Sequence, residues 1–245
     1  MNILEMTERE LLTLGVEDVS RSLTPEEVVH IAKTRGAFWV YNYEAAKQGN
    51  VGMHASLKSG LHSDGFFISR ILLASENIRR IISSQMVMRI KEALCENDMP
   101  SGVVGVPDGA TKIGEDIGKM FGINVLKMGK IEGQIVSSSP VDPQERILVV
   151  EDFCTRGTGF TEAVRAIKAA QPKAQFIPYD PVIINRGGLK IIFVEGTGEF
   201  KICPVVEWRV QDWDPEKCPL CKMGSVAIKP KATDENWKAI TTSQL

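Results

Sequence analysis

A chain of 245 residues, 43% hydrophobic and 24% charged, is long enough for a sizeable core and has the balance of an ordinary globular protein. Its net charge of −2 gives no general pull toward nucleic acid, and no apolar run approaches the length of a membrane span. Five dispersed cysteines argue against a disulfide scaffold, and Met1–Leu12, with three glutamates, does not read as a signal peptide, so a reducing, cytoplasmic setting is expected.

Residues 1–48 read as helices. Thr24-Pro25-Glu26-Glu27 supplies an N-cap, a proline at the first helical position and acids in the first turn. Val28, Val29, Ala32 and Ala37 follow at roughly helical spacing, with His30 packed among them. In residues 55–72, Ser59-Gly60 and Asp64-Gly65 are turn dipeptides, so a hairpin-like loop carries Lys58 and His62. Phe66 and Phe67 are adjacent, so an extended backbone sends one ring to the core and frees the other to floor a pocket.

Ser75–Asn97 repeats apolar residues at helical spacing, and Gly102–Val106 reads as a buried strand. Pro107-Asp108-Gly109 then turns the chain into a helix through Met120, a strand–turn–helix unit able to hold an anion. After a short strand at Asn124–Leu126, Lys127 and Lys130 lie beside Gly129 and Gly133 in what reads as a mobile basic loop.

Ile147–Val150 is wholly aliphatic, as suits a strand buried on both faces of a parallel sheet. Glu151 and Asp152 follow where it ends, and Thr155-Arg156-Gly157-Thr158-Gly159 leads into a helix over Thr161–Ala170. Glycines and hydroxyls at a helix N-terminus offer N–H groups and the positive dipole end to a phosphate. The acidic pair would repel a phosphate but can accept hydrogen bonds from sugar hydroxyls or sit beside a cation, so the ligand suggested is a sugar phosphate. No Gly-Lys-Ser/Thr follows, which excludes a Walker loop. Val182–Ile184 is the next buried strand and ends in Asn185-Arg186-Gly187-Gly188, where an arginine can pair bidentately with a carboxylate. Further strands are expected at Ile191–Val194 and Lys201–Val206. Cys218-x-x-Cys221 has metal-ligand spacing but no second such pair follows, so it reads as a structural or redox-neutral knuckle, with a zinc shared across a dimer as the route to the four ligands a metal site needs. Residues 230–245 read as a polar, loosely packed tail.

The segment Ile147–Phe160 resembles the phosphoribosyl-pyrophosphate (PRPP) motif of type I phosphoribosyltransferases: an aliphatic strand, two acids, then Thr-x-Gly-Thr. Leu57-Lys58-Ser59-Gly60 with Phe66-Phe67 narrows the resemblance to the orotate phosphoribosyltransferases, and the cysteine pair after Trp213-Asp214-Pro215 resembles the tail of some of its bacterial and archaeal members. The matches run from about Lys33 to Pro230.

The resemblance implies an α/β type I phosphoribosyltransferase fold: a mostly parallel central sheet flanked by helices, with a small N-terminal hood and a C-terminal extension. The expected division is an N-terminal helical region over residues 1–54, a core over 55–206 and an extension over 207–245. The implied activity is transfer of ribose 5-phosphate from PRPP to orotate in pyrimidine biosynthesis, with Mg²⁺ as cofactor. Glu151, Asp152, Thr155, Arg156, Gly157, Thr158 and Gly159 would bind PRPP. Pro107, Asp108 and Gly109 would form the pyrophosphate loop. Lys58, Phe66, Phe67, Thr155 and Arg186 would bind orotate, and Lys127, Lys130 and Asp152 would be catalytic. A homodimer sharing loop 126–133 across subunits is implied, with no nucleic-acid or membrane partner. Two departures stand out: Leu126 replaces the family's arginine before the first loop lysine, and Glu132 replaces its histidine. The alternatives are a phosphoribosyltransferase for a purine base or uracil, and a PRPP sensor without activity.

Overall fold

Arg146–Cys154 is the middle of a seven-stranded sheet. Its aliphatic run Ile147–Val150 pairs in parallel with Gly102–Gly105 on one side, and its later residues Glu151–Cys154 pair in parallel with Tyr179–Asn185 on the other. Ile147–Val150 are all buried, which is why the run carries no polar residue. Asn124–Val125 closes one edge in parallel. At the other, Gly198–Glu207 runs parallel to Tyr179–Asn185, and Ile191–Val194 lies antiparallel to it. Strand alternation packs Ile147 and Val149 with Phe160, Ala163, Val164 and Ile167 of the helix Thr158–Ala170, and turns Leu148 and Val150 to the opposite face. The helices Glu76–Ala93 and Thr111–Phe121 are tied by a buried ion pair, Arg79 Nε to Asp116 Oδ2 at 2.7 Å.

The computed structural model describes residues 1–245, the side chain of Asn97 apart, and its packing forms two units. The first comprises Met1–Val28 and Leu73–Arg209; the second comprises Val29–Leu72 and Val210–Leu245. This division differs from the linear one expected at residues 54 and 206, because side-chain and strand pairing join stretches far apart in the chain. Residues 1–28 go with the sheet: Gln85 accepts from the N–H of Leu23 at 2.6 Å and donates to the carbonyl of Arg21 at 3.1 Å.

The second unit holds two small sheets. Phe38–Val40 pairs antiparallel with Gly65–Phe67, and Asp212–Trp213, His62–Ser63, Met53–Ser56 and Val226–Ile228 form a four-stranded sheet in that order. The expectation of helices throughout residues 1–48 fails at Phe38–Val40, where aromatic and β-branched residues favour a strand and Phe38 stacks on Phe67 at 4.1 Å. The expected loose tail is instead a helix, Asp234–Thr242. Thr233 caps it, Trp237 and Ile240 are buried, and the Trp237 indole N–H donates to the carbonyl of Gly36 at 2.8 Å. Among the described residues no helix is long and apolar enough to cross a membrane.

Candidate active site

Thr155–Gly157 links the central strand to the helix Thr158–Ala170, which starts three residues earlier than the spacing suggests. Gly157 sits at φ +65°, a backbone conformation that suits glycine and lets the chain swing into the helix. The first helical N–H groups have no partner within the helix. That of Phe160 donates to the Glu151 carboxyl, leaving those of Thr158 and Gly159 at the positive end of the helix dipole.

The two acids of the motif face apart. Alternation along the strand points them to opposite sides. Glu151 is only 6% exposed and lies beneath the loop, where burial first and Asp152 second push its carboxyl up to about 8. Asp152 is half-buried and turns toward Pro107–Gly109. A Cβ at Gly109 would come within 2.0 Å of Asp152 Oδ2, so glycine is what lets this loop approach the carboxylate.

Asp108 is exposed at the tip of that loop and accepts from Lys130 Nζ at 3.3 Å. Lys130 belongs to a two-stranded hairpin, Met128–Ile131 with Gln134–Ser137, rather than to an irregular loop. Glu132 and Gly133, at φ 51° and 82°, form its two-residue turn. Leu126 is 4% exposed and packs in the core with Met128 and Ile135, so this position anchors the hairpin instead of presenting a cation. Lys127 is exposed just before the first hairpin strand, and Lys112 is exposed in the helix after the Pro107–Gly109 loop.

Arg186 follows the strand Tyr179–Asn185, and its backbone N–H donates to the carbonyl of Cys154 at 2.8 Å. That bond sets Arg186 beside Thr155. The same strand carries a residue that sequence reasoning passed over, Asp180, which is fully buried (0% exposed). Its carboxyl lies within 4.8 Å of Glu151 and of the Cys154 thiol. Burial first, then Glu151, raises the Asp180 carboxyl, and burial pushes Cys154 up to about 12. The three form a buried cluster beneath the Thr155–Gly157 turn, and burial disfavours the charged form of each. The signal in the sequence was an acid at the head of an aliphatic strand.

The remaining site candidates belong to the second unit. Lys58 is exposed at the tip of a hairpin closed by the Leu57 N–H donating to Leu61 at 2.8 Å. Phe67 is 2% exposed and stacked on Phe38, while Phe66 faces the other way, half-buried, 6.2 Å from the ring of Trp237. The expected split of the two rings therefore holds. Cys218 and Cys221 meet His54 and His62 in this unit, two histidines that the spacing of the cysteine pair could not reveal.

No family model matches the chain. Among curated proteins it is 29% identical over 210 residues to the orotate phosphoribosyltransferase of Acidithiobacillus ferrooxidans, an alignment covering 85% of this chain and 97% of that one. The enzyme of the same name from Carboxydothermus hydrogenoformans is 23% identical, over 78% of this chain and 95% of its own. The chain is similar in sequence to the orotate phosphoribosyltransferases over most of its length. Among solved structures, the orotate phosphoribosyltransferase of Aeropyrum pernix superposes with a TM-score of 0.52 at 18% identity, covering 74% of this chain and 93% of that one. That likeness establishes the type I phosphoribosyltransferase fold, in agreement with the parallel sheet described above.

Proposed function

We infer that this chain is an orotate phosphoribosyltransferase. It transfers ribose 5-phosphate from PRPP to N1 of orotate, giving orotidine 5′-monophosphate and pyrophosphate. The observation that carries this reading is the seat of Thr155–Gly159: a phosphate-type turn at the carboxyl end of the central strand, in a chain aligned with 97% of an orotate phosphoribosyltransferase.

Breaking the bond at the anomeric carbon builds oxocarbenium character on the ribose and negative charge on the leaving pyrophosphate. Such a reaction needs charge stabilisation more than a strong nucleophile. In this reading the N–H groups at the start of the Thr158–Ala170 helix grip the 5′-phosphate, with Thr155 and Arg156 on its flank. Asp152 holds ribose hydroxyls and favours the cationic sugar. Glu151, buried against the Phe160 N–H, acts by shaping the loop. Lys130, with Lys127, stabilises the leaving group. Arg186 pairs with the orotate carboxylate, while Lys58 and Phe66 are assigned to the base by resemblance.

Asp152, near the end of the central strand, faces the turn that carries Asp108, and two carboxylates offer oxygen donors that suit a hard cation carried mainly by substrate oxygens. Mg²⁺ held there would offset part of the pyrophosphate charge. A cytoplasmic homodimer with hairpin 126–133 reaching the neighbouring subunit completes the proposal. Orotate consumption followed by absorbance, with and without PRPP and Mg²⁺, tests it. Consumption that requires both is expected; pyrophosphate release with adenine or hypoxanthine in preference to orotate overturns it.

A further inference from the structure

The second unit gathers His54, His62, Cys218 and Cys221 so that one ligand atom of each lies within 4.8 Å of all the others. His54 Nε2 is 3.6 Å from Cys218 Sγ and 3.5 Å from Cys221 Sγ; His62 Nδ1 is 3.3 Å from Cys221 Sγ and 3.0 Å from His54 Nε2. Bonds of ~2.3 Å to sulfur and ~2.0–2.1 Å to nitrogen in a tetrahedron require donor separations of roughly 3.3–3.8 Å. The three sulfur–nitrogen separations meet that requirement, the two imidazoles meet it once they part by a few tenths of an ångström, and the remaining pairs lie within 4.8 Å. We propose that these four residues form a structural zinc site contained within a single chain.

Three further features fit. The first is the state of His54. Ser225 Oγ donates to the carbonyl of Gly52, 3.2 Å away, so it accepts from His54 Nδ1–H at 3.0 Å. That bond fixes the tautomer and leaves the Nε2 lone pair facing the two sulfurs, the usual support for a metal-bound imidazole. The second is the fold of the cysteine segment. Cys218–Cys221 is a tight knuckle, with Lys222 donating to the Cys218 carbonyl at 3.3 Å and Gly224 to that of Cys221 at 3.0 Å. Leu220 between them is fully buried, which turns both sulfurs to one side. The third is the hairpin. The register Ala55↔Ser63 and Ser56↔His62 sets His54 and His62 on one face as diagonal neighbours, with ring centroids 4.9 Å apart.

Two thiolates and two imidazoles in a tetrahedron select zinc over magnesium or calcium, which take oxygen ligands. Each thiol gives its proton to solvent as the metal binds. All cysteines of the chain are free, so no disulfide competes for these sulfurs. The site would bind the knuckle to both feet of the hairpin that carries Lys58. It therefore holds a proposed orotate contact in place without touching the reaction.

The test uses the full chain, purified under reducing conditions. Elemental analysis should find about one zinc ion per chain, and cobalt exchanged into the protein should give the visible absorption of a tetrahedral thiolate complex. Stripping the metal should lower the melting temperature by about 5 °C or more, and zinc alone should restore it. His62→Ala and Cys221→Ser, the two more accessible ligands, should reduce zinc to well under half occupancy in protein that still folds by circular dichroism. If Cys218→Ser fails to fold, the cobalt spectrum of the natural chain still decides. Metal-free protein that takes up no zinc when reduced, or full zinc occupancy in the His54→Ala/His62→Ala double variant, overturns the proposal.

Discussion

Lys130 Nζ lies 3.3 Å from Asp108 Oδ2, bringing the tip of one turn to the strand of a hairpin 22 positions later. Both groups are substantially exposed, so the pair adds at most about 1 kcal/mol to stability. Its significance is positional: the ammonium is already held over the loop proposed to receive pyrophosphate. Lys130→Ala should therefore cut turnover by about 10²–10³-fold while PRPP affinity, read by calorimetry, changes only a few-fold. Unchanged turnover would remove the lysine from the mechanism.

Arg186 tests the choice of base. A guanidinium fork can meet a planar carboxylate with two hydrogen bonds, and a lysine at the same place cannot. Arg186→Lys should raise the KM for orotate by about 10–100-fold and leave the KM for PRPP nearly unchanged. Steady-state kinetics with each substrate varied in turn separates the two. An equal rise for both would mean that Arg186 supports the phosphate loop instead.

The buried carboxyl of Glu151 predicts an unusual pH dependence. Its pKa is raised to about 8 from the ordinary 4.5, so the folded protein holds a proton that the unfolded chain has lost. Stability from this group is complete below pH 4.5 and declines as pH rises through about 8. Asp180, raised by burial and by Glu151, acts in the same direction. Denaturant unfolding of the ligand-free protein should show a falling free energy between pH 5 and 8, and Glu151→Gln should flatten the curve. A natural chain whose stability climbs through this window would contradict a neutral buried pair.

Leu126 stands where the resemblance leads one to expect an arginine, yet it is packed with Met128 and Ile135. Leu126→Ala should cost about 2–5 kcal/mol in chemical denaturation. Leu126→Arg should also destabilise, because a charge would be forced into that core, and it should bring no gain in turnover. A faster enzyme of natural stability would show that the position faces the substrate after all.

What could be read in advance was local. The glycine turn after the central strand, the two strand–turn–helix units and the opposite facing of Phe66 and Phe67 each depend on neighbours a few residues away, where periodicity and turn chemistry act. What escaped depends on distant pairing. Phe38–Val40 becomes a strand because Phe67 offers a ring to stack on. Trp237 and Ile240 make a helix worth burying only because Gly36 supplies a carbonyl and Trp39 and Tyr41 supply a surface. Asp180 matters because the strand register carries it next to Glu151, and His54 joins Cys218 across 164 positions. Side-chain direction corrected one further reading: Glu151 and Asp152 look like a pair in one dimension, but the strand faces them apart.

The second unit is assembled from the early segment Val29–Leu72 and the late segment Val210–Leu245. Met53–Ser56 waits for Val226–Ile228, and His62–Ser63 waits for Asp212–Trp213, which follows about 150 residues later. At roughly 5–20 residues per second, the ribosome delivers those partners about 8–35 s after the hairpin emerges. During that interval two sheet edges of the newborn chain are uncovered, whereas the sheet of the first unit is complete once Glu207 has been made. The order of synthesis thus brings out the Lys58 hairpin well before the strands that secure it.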